Sequence, residues 1–275
     1  MPFHARRRVS FEKRLIVSLR LNLDIEFVKL SVYLDMLLQM QLSTDYSIFP
    51  LGDAALTIDF GNTIDEIINH KVLALFHLLK ENPPKGVIEC VPAYSTLTVY
   101  YDVWIVRKYN PQYTTAFEAV ADQLEQQLAQ PIEDLQLQSQ HHRIPVCYDP
   151  AFALDMDAMV TAKNISVEDI VRIHSSKTYT VYMLGFLPGF TYMGKVDDAI
   201  TMPRKINPRP GVEAGSVGIA GNQTGIYPLV SPGGWQLIGR TPLKLFKPDS
   251  NDFTLLKPGD TVQFYSISKD EFDSY

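Results

Sequence analysis

The sequence has few of the groups that usually announce chemistry. Its 275 residues include two cysteines, Cys90 and Cys147, each inside an apolar, strand-like run (GVIECVPAY and RIPVCYD). A disulfide framework needs more cysteines in a shorter chain, and a zinc site needs close Cys/His spacing, so both read as buried reduced thiols. No G-x-G-x-x-G dinucleotide loop, G-x-S-x-G nucleophile elbow or H-E-x-x-H metal helix is present. The Ala/Val-Met-Lys-Met sequence that carries biotin is also missing. Basic residues are not in excess: 31 acidic against 25 basic residues give a net charge of -6, which argues against a nucleic-acid surface. No uninterrupted apolar run reaches the roughly 18 residues of a membrane span. These absences favour a cytoplasmic protein without membrane or nucleic-acid partners.

At 46% hydrophobic and 20% charged, the chain can bury one large core or two ordinary ones, and two domains are expected. Residues 1–43 read as an atypical extension, with Arg6, Arg7, Arg8, Lys13, Arg14 and Arg20 ahead of a charged-apolar stretch. Met40 opens MQLSTDYSIFPLGDAALTIDFG, which looks like a natural start, so 1–39 is expected to be an upstream extension or non-native helix. Residues 44–130 read as a small α+β domain. Two short strands flank Pro50-Leu51-Gly52-Asp53. A helix over 63–80 carries Ile64, Ile67, Ile68, Val72, Leu75, Phe76 and Leu79 at three- and four-residue spacing, with Thr63 and Glu66 as a capping box. Strands at 86–91 and 96–102 and a helix at 114–129 complete it. Residues 131–142 are polar and aperiodic and read as a linker, with His141 and His142 facing solvent. From 143 to 275, after a strand at IPVCYD and a helix capped by Ser166, short β-branched and aromatic runs alternate with Gly/Pro turns. That pattern predicts a closed barrel.

One stretch imitates a phosphate-binding loop. Gly189–Lys195 spells G-F-T-Y-M-G-K, but Val196 stands where Ser or Thr must supply a hydroxyl to magnesium. The informative block is 178–242. Its glycines and prolines are threaded with aromatic residues, so these loops must pack, and rigid loops on a barrel shape binding surfaces. Arg204, Arg209 and Arg240 sit among them and offer paired donors for a carboxylate or phosphate.

GFLPGFTYMG, the PR(x3)PR run, AGSVGIAGNQTGIYP and SPGGWQLIGRTP, in that order, resemble the family that holds the smaller, B-type subunit of 5-oxoprolinase, kinase A inhibitor and allophanate hydrolase subunit 1. The resemblance covers about residues 45–270, and IFPLGDAAL, IPVCYD and RIHSS fit it too. Glu213 departs from it, standing where many relatives have Pro before AGSV. The resemblance implies an α+β sandwich domain followed by a cyclophilin-like β-barrel. It also implies membership of an ATP-dependent 5-oxoprolinase that converts 5-oxo-L-proline to L-glutamate. The expected partners are a larger carboxyltransferase-like subunit (the C-type) and a LamB/YcsF-type subunit (the A-type). ATP and Mg are expected mainly on a partner. Inhibition of a sporulation-type histidine kinase and a urea-carboxylase-related, carboxyltransferase-like role remain alternatives. Arg204 and Arg209 are candidates to bind a carboxylate or to be surface arginines. Gln223 and Tyr227 are candidates to orient an amide-like ligand or to stitch loops, and Trp235 is a candidate groove wall. Pro188, Gly233 and Gly234 are expected to shape the surface. His174 is a candidate general base or a packed helix-end histidine.

Overall fold

In the computed structural model of the chain, residues 46–129 and 139–275 are described. The extension expected over 1–43 and most of the linker expected over 131–142 lie outside the described residues. Strands β1 (Ser47–Pro50) and β2 (Ala55–Asp59) pair antiparallel around the turn that follows Pro50. Helix α1 (Glu66–Glu81) buries Val72, Leu75 and Leu79 fully, as their spacing predicts. Each such burial is worth roughly 1.5–3 kcal/mol. The helix starts later than a Thr63 cap implies. Asp65 is the cap, its carboxylate accepting from the Ile67 and Ile68 N–H groups at 2.9 and 3.1 Å. An aspartate also meets the positive end of the helix dipole, which a threonine hydroxyl does not.

Strands β3 (Val87–Pro92) and β4 (Thr96–Tyr101) complete an antiparallel sheet of order β1-β2-β4-β3. A short helix, α2 (Val103–Tyr109), follows where none was expected; Asp102 caps it through the Ile105 N–H. It buries only Val106 and leaves Trp104 86% exposed, so it carries no amphipathic pattern to read. Helix α3 (Ala116–Leu128) opens on a capping box between Thr115 and Glu118. Helices α1 and α3 share one core with Leu56, Ile58, Leu97 and Val99 of the sheet.

The second half begins with β5 (His141–Cys147), two residues ahead of the expected boundary. His141 is exposed, but His142 is half-buried, its Nε2 3.1 Å from the buried Asp260 carboxylate; this corrects the solvent-facing reading of His142. Helices α4 (Met156–Lys163) and α5 (Val167–Ser176) follow, the latter capped by Ser166 as its sequence predicts. Then come β6 (Thr178–Leu184), β7 (Thr191–Gly194), β8 (Arg209–Val212), β9 (Ser216–Ala220) and β10 (Gln223–Ile226). Strands β11 (Ser231–Gly233), β12 (Gln236–Arg240) and β13 (Thr261–Ile267) and helix α6 (Lys269–Asp273) end the chain. Seven strands close a barrel in the order β10-β7-β6-β13-β5-β12-β9, and β8 pairs with β11 outside it. Inward-facing Val146, Val181, Met193, Val217, Ile219, Ile238 and Phe264 fill the barrel. The class is α+β with a closed, cyclophilin-like barrel, as expected.

The two halves belong to one compact unit, Tyr46–Tyr275. Asn69 on α1, 1% exposed, joins them. Its amide donates toward the carbonyls of Ala93 and Tyr94, each at 3.1 Å, and of Tyr182 on β6 at 3.2 Å. Asn69→Ala leaves buried carbonyls without a donor and is expected to cost about 1–3 kcal/mol by urea unfolding.

Candidate functional site

The site is built on the Gly/Pro-rich loops of the barrel. A Cβ added at Gly225 would lie 2.7 Å from the Thr191 carbonyl and 3.0 Å from the Trp235 ring, so glycine here lets the indole pack against β10. Trp235 is 4% exposed and joins Phe190 and Tyr227 in a small separate core. The Tyr227 hydroxyl accepts from the Trp235 backbone and occupies the space that a side chain at Gly233 would fill. Tyr227, 1% exposed, therefore stitches loops and faces no ligand, which corrects its assignment as a binding residue. At 4% exposure Trp235 offers little surface as a groove wall.

Arg204 is exposed, with its guanidinium 6.0 Å from the Trp235 ring centroid. The residues on either side of it are pinned. Gln236 Nε2 donates to the Pro203 carbonyl at 2.9 Å, and the Lys205 N–H donates to the Gly234 carbonyl at 2.7 Å. Gly234 thus acts through its backbone. No carboxylate among the described residues pairs with Arg204, so its donors remain available. Tyr192 lies 5.8 Å from Trp235, and Tyr94 lies 6.1 Å from Tyr192, ring centre to ring centre. These rings make an aromatic floor leading from Arg204 toward the first half of the chain. Burial pushes the Tyr94 hydroxyl well above its ordinary pKa, with neighbouring tyrosines adding to the effect, and a hydrogen bond from the Gln223 side chain and then the Arg204 charge partly oppose it.

Arg209 is committed elsewhere. It forks onto Asp155 with both bonds at 2.8 Å, and Lys205 reaches the same carboxylate at 2.7 Å. The Leu237 N–H completes the set at 2.7 Å. Burial alone would raise the Asp155 pKa, but the hydrogen bonds from Arg209, Lys205 and Leu237 hold it below the usual carboxylate value. Arg209 is a positioning residue for the loop that carries Arg204, not a ligand-binding one. Asp155 was not legible as its partner, because the pair is separated by 54 positions in sequence.

Arg240 lies elsewhere as well. It is at the far end of β12 from Trp235, roughly 16 Å along the strand. Its Nε donates to the Ala214 carbonyl at 2.8 Å, and its guanidinium lies over the Phe152 and Phe272 rings. Glu213, the departure from the family pattern, is 3.8 Å from it. Pro188 is exposed in the turn between β6 and β7, where Phe186 adopts a left-handed φ of 66°.

His174 is completely buried. Its Nδ1 shares a hydrogen bond with the Tyr148 hydroxyl at 2.8 Å, its Nε2 shares one with Thr224 at 3.0 Å, and its ring stacks on Phe264. Burial lowers its pKa to about 3. An imidazole with both nitrogens engaged and no path to solvent cannot act as a general base, which corrects that assignment.

A cavity of about 320 Å³ opens where the halves meet. Asn62, Thr63 and Ile64 ahead of α1 line it, together with Tyr94 and Ser95 of the β3–β4 turn and Gln223 at the start of β10. Gln223 is thus the one predicted amide-orienting residue that faces open space. Tyr94, Tyr192, Asn69 and Asp155 carried no local signal, since tertiary contacts alone give them their places. The phosphate-loop imitation runs into strand β7, with Thr191 and Met193 buried, so its backbone amides are not free to cradle phosphate. Among the described residues, no cluster of three His, Cys, Asp or Glu could hold a metal ion, and no helix is long and apolar enough to cross a membrane.

A family model for the carboxyltransferase domain, subdomain C and D, matches residues 46–256. The chain is 46% identical over 231 residues to the B-type subunit of 5-oxoprolinase from Bacillus subtilis (strain 168), covering 84% of this chain and 96% of that protein. It is 37% identical over 214 residues to the B-type subunit of 5-oxoprolinase from Escherichia coli O157:H7, covering 78% and 93%. The crystal structure of TTHA0988 superposes with a TM-score of 0.66 at 34% identity, covering 78% of this chain and 40% of that one.

Proposed function

Since the chain belongs to the family of the carboxyltransferase domain, subdomain C and D, we propose that it serves as the B-type subunit of an ATP-dependent 5-oxoprolinase. The observation that carries this reading is the 46% identity that runs through 96% of a 5-oxoprolinase subunit of that type. The complex would open the lactam of 5-oxo-L-proline to L-glutamate, together with a larger carboxyltransferase-like subunit (the C-type) and a LamB/YcsF-type subunit (the A-type). A five-membered lactam is a stable amide, which gives ATP coupling its purpose. What supports placing the nucleotide mainly elsewhere is that the phosphate-loop imitation enters a barrel strand. In this reading ATP and Mg sit mainly on a partner. This chain's part is to bind and orient the lactam. Arg204, uncommitted and fixed above an aromatic floor, supplies a cation for the substrate carboxylate.

The test is glutamate release from 5-oxo-L-proline by the complex reconstituted from all three proteins, with and without ATP. Release that needs both ATP and this chain is expected. Arg204→Ala is expected to lower kcat/KM by about 10- to 150-fold, the range for a lost hydrogen bond to a charged group. ATP-dependent release that persists without this chain would overturn the proposal.

A further inference from the structure

We propose that the cavity between the two halves is an amide-reading pocket, in which the Gln223 carboxamide pairs edge to edge with the cis amide of a small lactam and the Tyr94 hydroxyl steadies that carboxamide. The inference rests on the 5-oxoprolinase reading and names the part of the site that reads the ring. A lactam holds its N–H and C=O on the same side. A primary carboxamide presents the complementary pair, so two parallel hydrogen bonds form between them. Gln223 lines the cavity and is only half-buried, so its amide, which lies against the Tyr94 hydroxyl, can be reached by a ligand. None of the residues that line the cavity is charged, which suits a neutral amide and disfavours an ion. Its volume of about 320 Å³ accommodates the neutral amide side of a five-membered ring.

The Tyr94 hydroxyl is the second observation. It is buried against the Gln223 side chain, which donates toward its oxygen, while its own proton has no acceptor among the described residues. Native structures rarely leave such a group unmatched, and a water or a ligand in the cavity completes it. A turn of the Gln223 side chain toward the lactam lets its oxygen accept from Tyr94 on its second lone pair. Asn69 fixes the Tyr94 backbone, so the hydroxyl is held in place before the ligand arrives. The aromatic floor through Tyr192 to Trp235 runs from this pocket toward the Arg204 cation.

The experiment uses the reconstituted complex and steady-state kinetics. Gln223→Glu keeps the shape but loses the donor, and it is expected to raise KM for 5-oxo-L-proline about tenfold or more while leaving kcat within about threefold. Tyr94→Phe is expected to raise KM about three- to tenfold. In the wild-type complex, N-methyl-5-oxoproline keeps the ring and carboxylate but lacks the N–H, and it is expected to compete at least about tenfold less well than the parent compound binds. A wild-type complex that is active, with an unchanged KM in Gln223→Glu and Tyr94→Phe or with equal competition by the N-methyl compound, overturns the pocket and leaves the 5-oxoprolinase reading standing. A wild-type complex that releases no glutamate overturns both.

Discussion

Asp155→Ala is expected to lower folding stability by about 3 kcal/mol, at the lower end of the range for breaking a buried ion pair. The carboxylate is 3% exposed and accepts from Lys205, from both arms of Arg209 and from the Leu237 N–H. Its loss strands a buried N–H and two cations. Lys205 and Arg209 retain 29% and 22% side-chain exposure and can recover some hydration, which keeps the cost from the upper end. The same change frees the loop on which Arg204 is mounted, so activity of the complex should fall even where the protein remains folded. Urea unfolding of the purified chain measures the first effect. A loss below about 1 kcal/mol would show that the cluster contributes no more than a surface pair.

Acid should unfold this protein through His174. Its folded pKa is about 3, against an unfolded value of roughly 6.5. Between those values the unfolded chain takes up a proton that the folded chain refuses. The stability contributed by the neutral imidazole is therefore complete above the unfolded pKa and is lost as pH falls toward the folded one. The loss from pH 6.5 to 4 is expected to reach about 3 kcal/mol. Carboxylates titrate in part of the same window, so the comparison with His174→Gln isolates the term. That variant is expected to start lower at pH 7, since Tyr148 and Thr224 lose a partner, and then to fall by about 3 kcal/mol less. Parallel stability curves for the two proteins would remove His174 from the acid response.

Local pattern carried much of the fold. The spacing of Val72, Leu75 and Leu79 marked α1, and the Gly/Pro-punctuated runs after Thr178 marked the barrel, because both patterns arise from residues that face one core. Helix α2 escaped because it sets almost nothing into that core. Asp65 displaced Thr63 as the cap, a choice between two adequate acceptors that sequence alone leaves open. The site was less legible. Arg204 and Gln223 keep the accessible positions their family-like blocks suggested. Arg209 and Arg240 look the same in sequence, yet one is spent on Asp155 and the other lies over Phe152 and Phe272. His174 illustrates the limit most clearly. A histidine at a helix end reads either as a general base or as a packed residue, and only the distant Thr224 and Phe264 reveal that it is sealed in the core.

The parallel pairing of β5 with β13 sets the order in which the molecule can be made. His141 faces Thr261 and Cys147 faces Ile267, so β5 waits for a partner synthesised 120 residues later. At about 5–20 residues per second, a ribosome needs roughly 6–24 seconds to deliver it. The β1–β4 sheet pairs within its own half and can assemble during that interval, whereas β5 and β6 keep raw edges, the kind that pair with other chains. A nascent chain halted after Asp260 is an opened barrel with every loop of the binding surface already made and nothing to hold them in a ring.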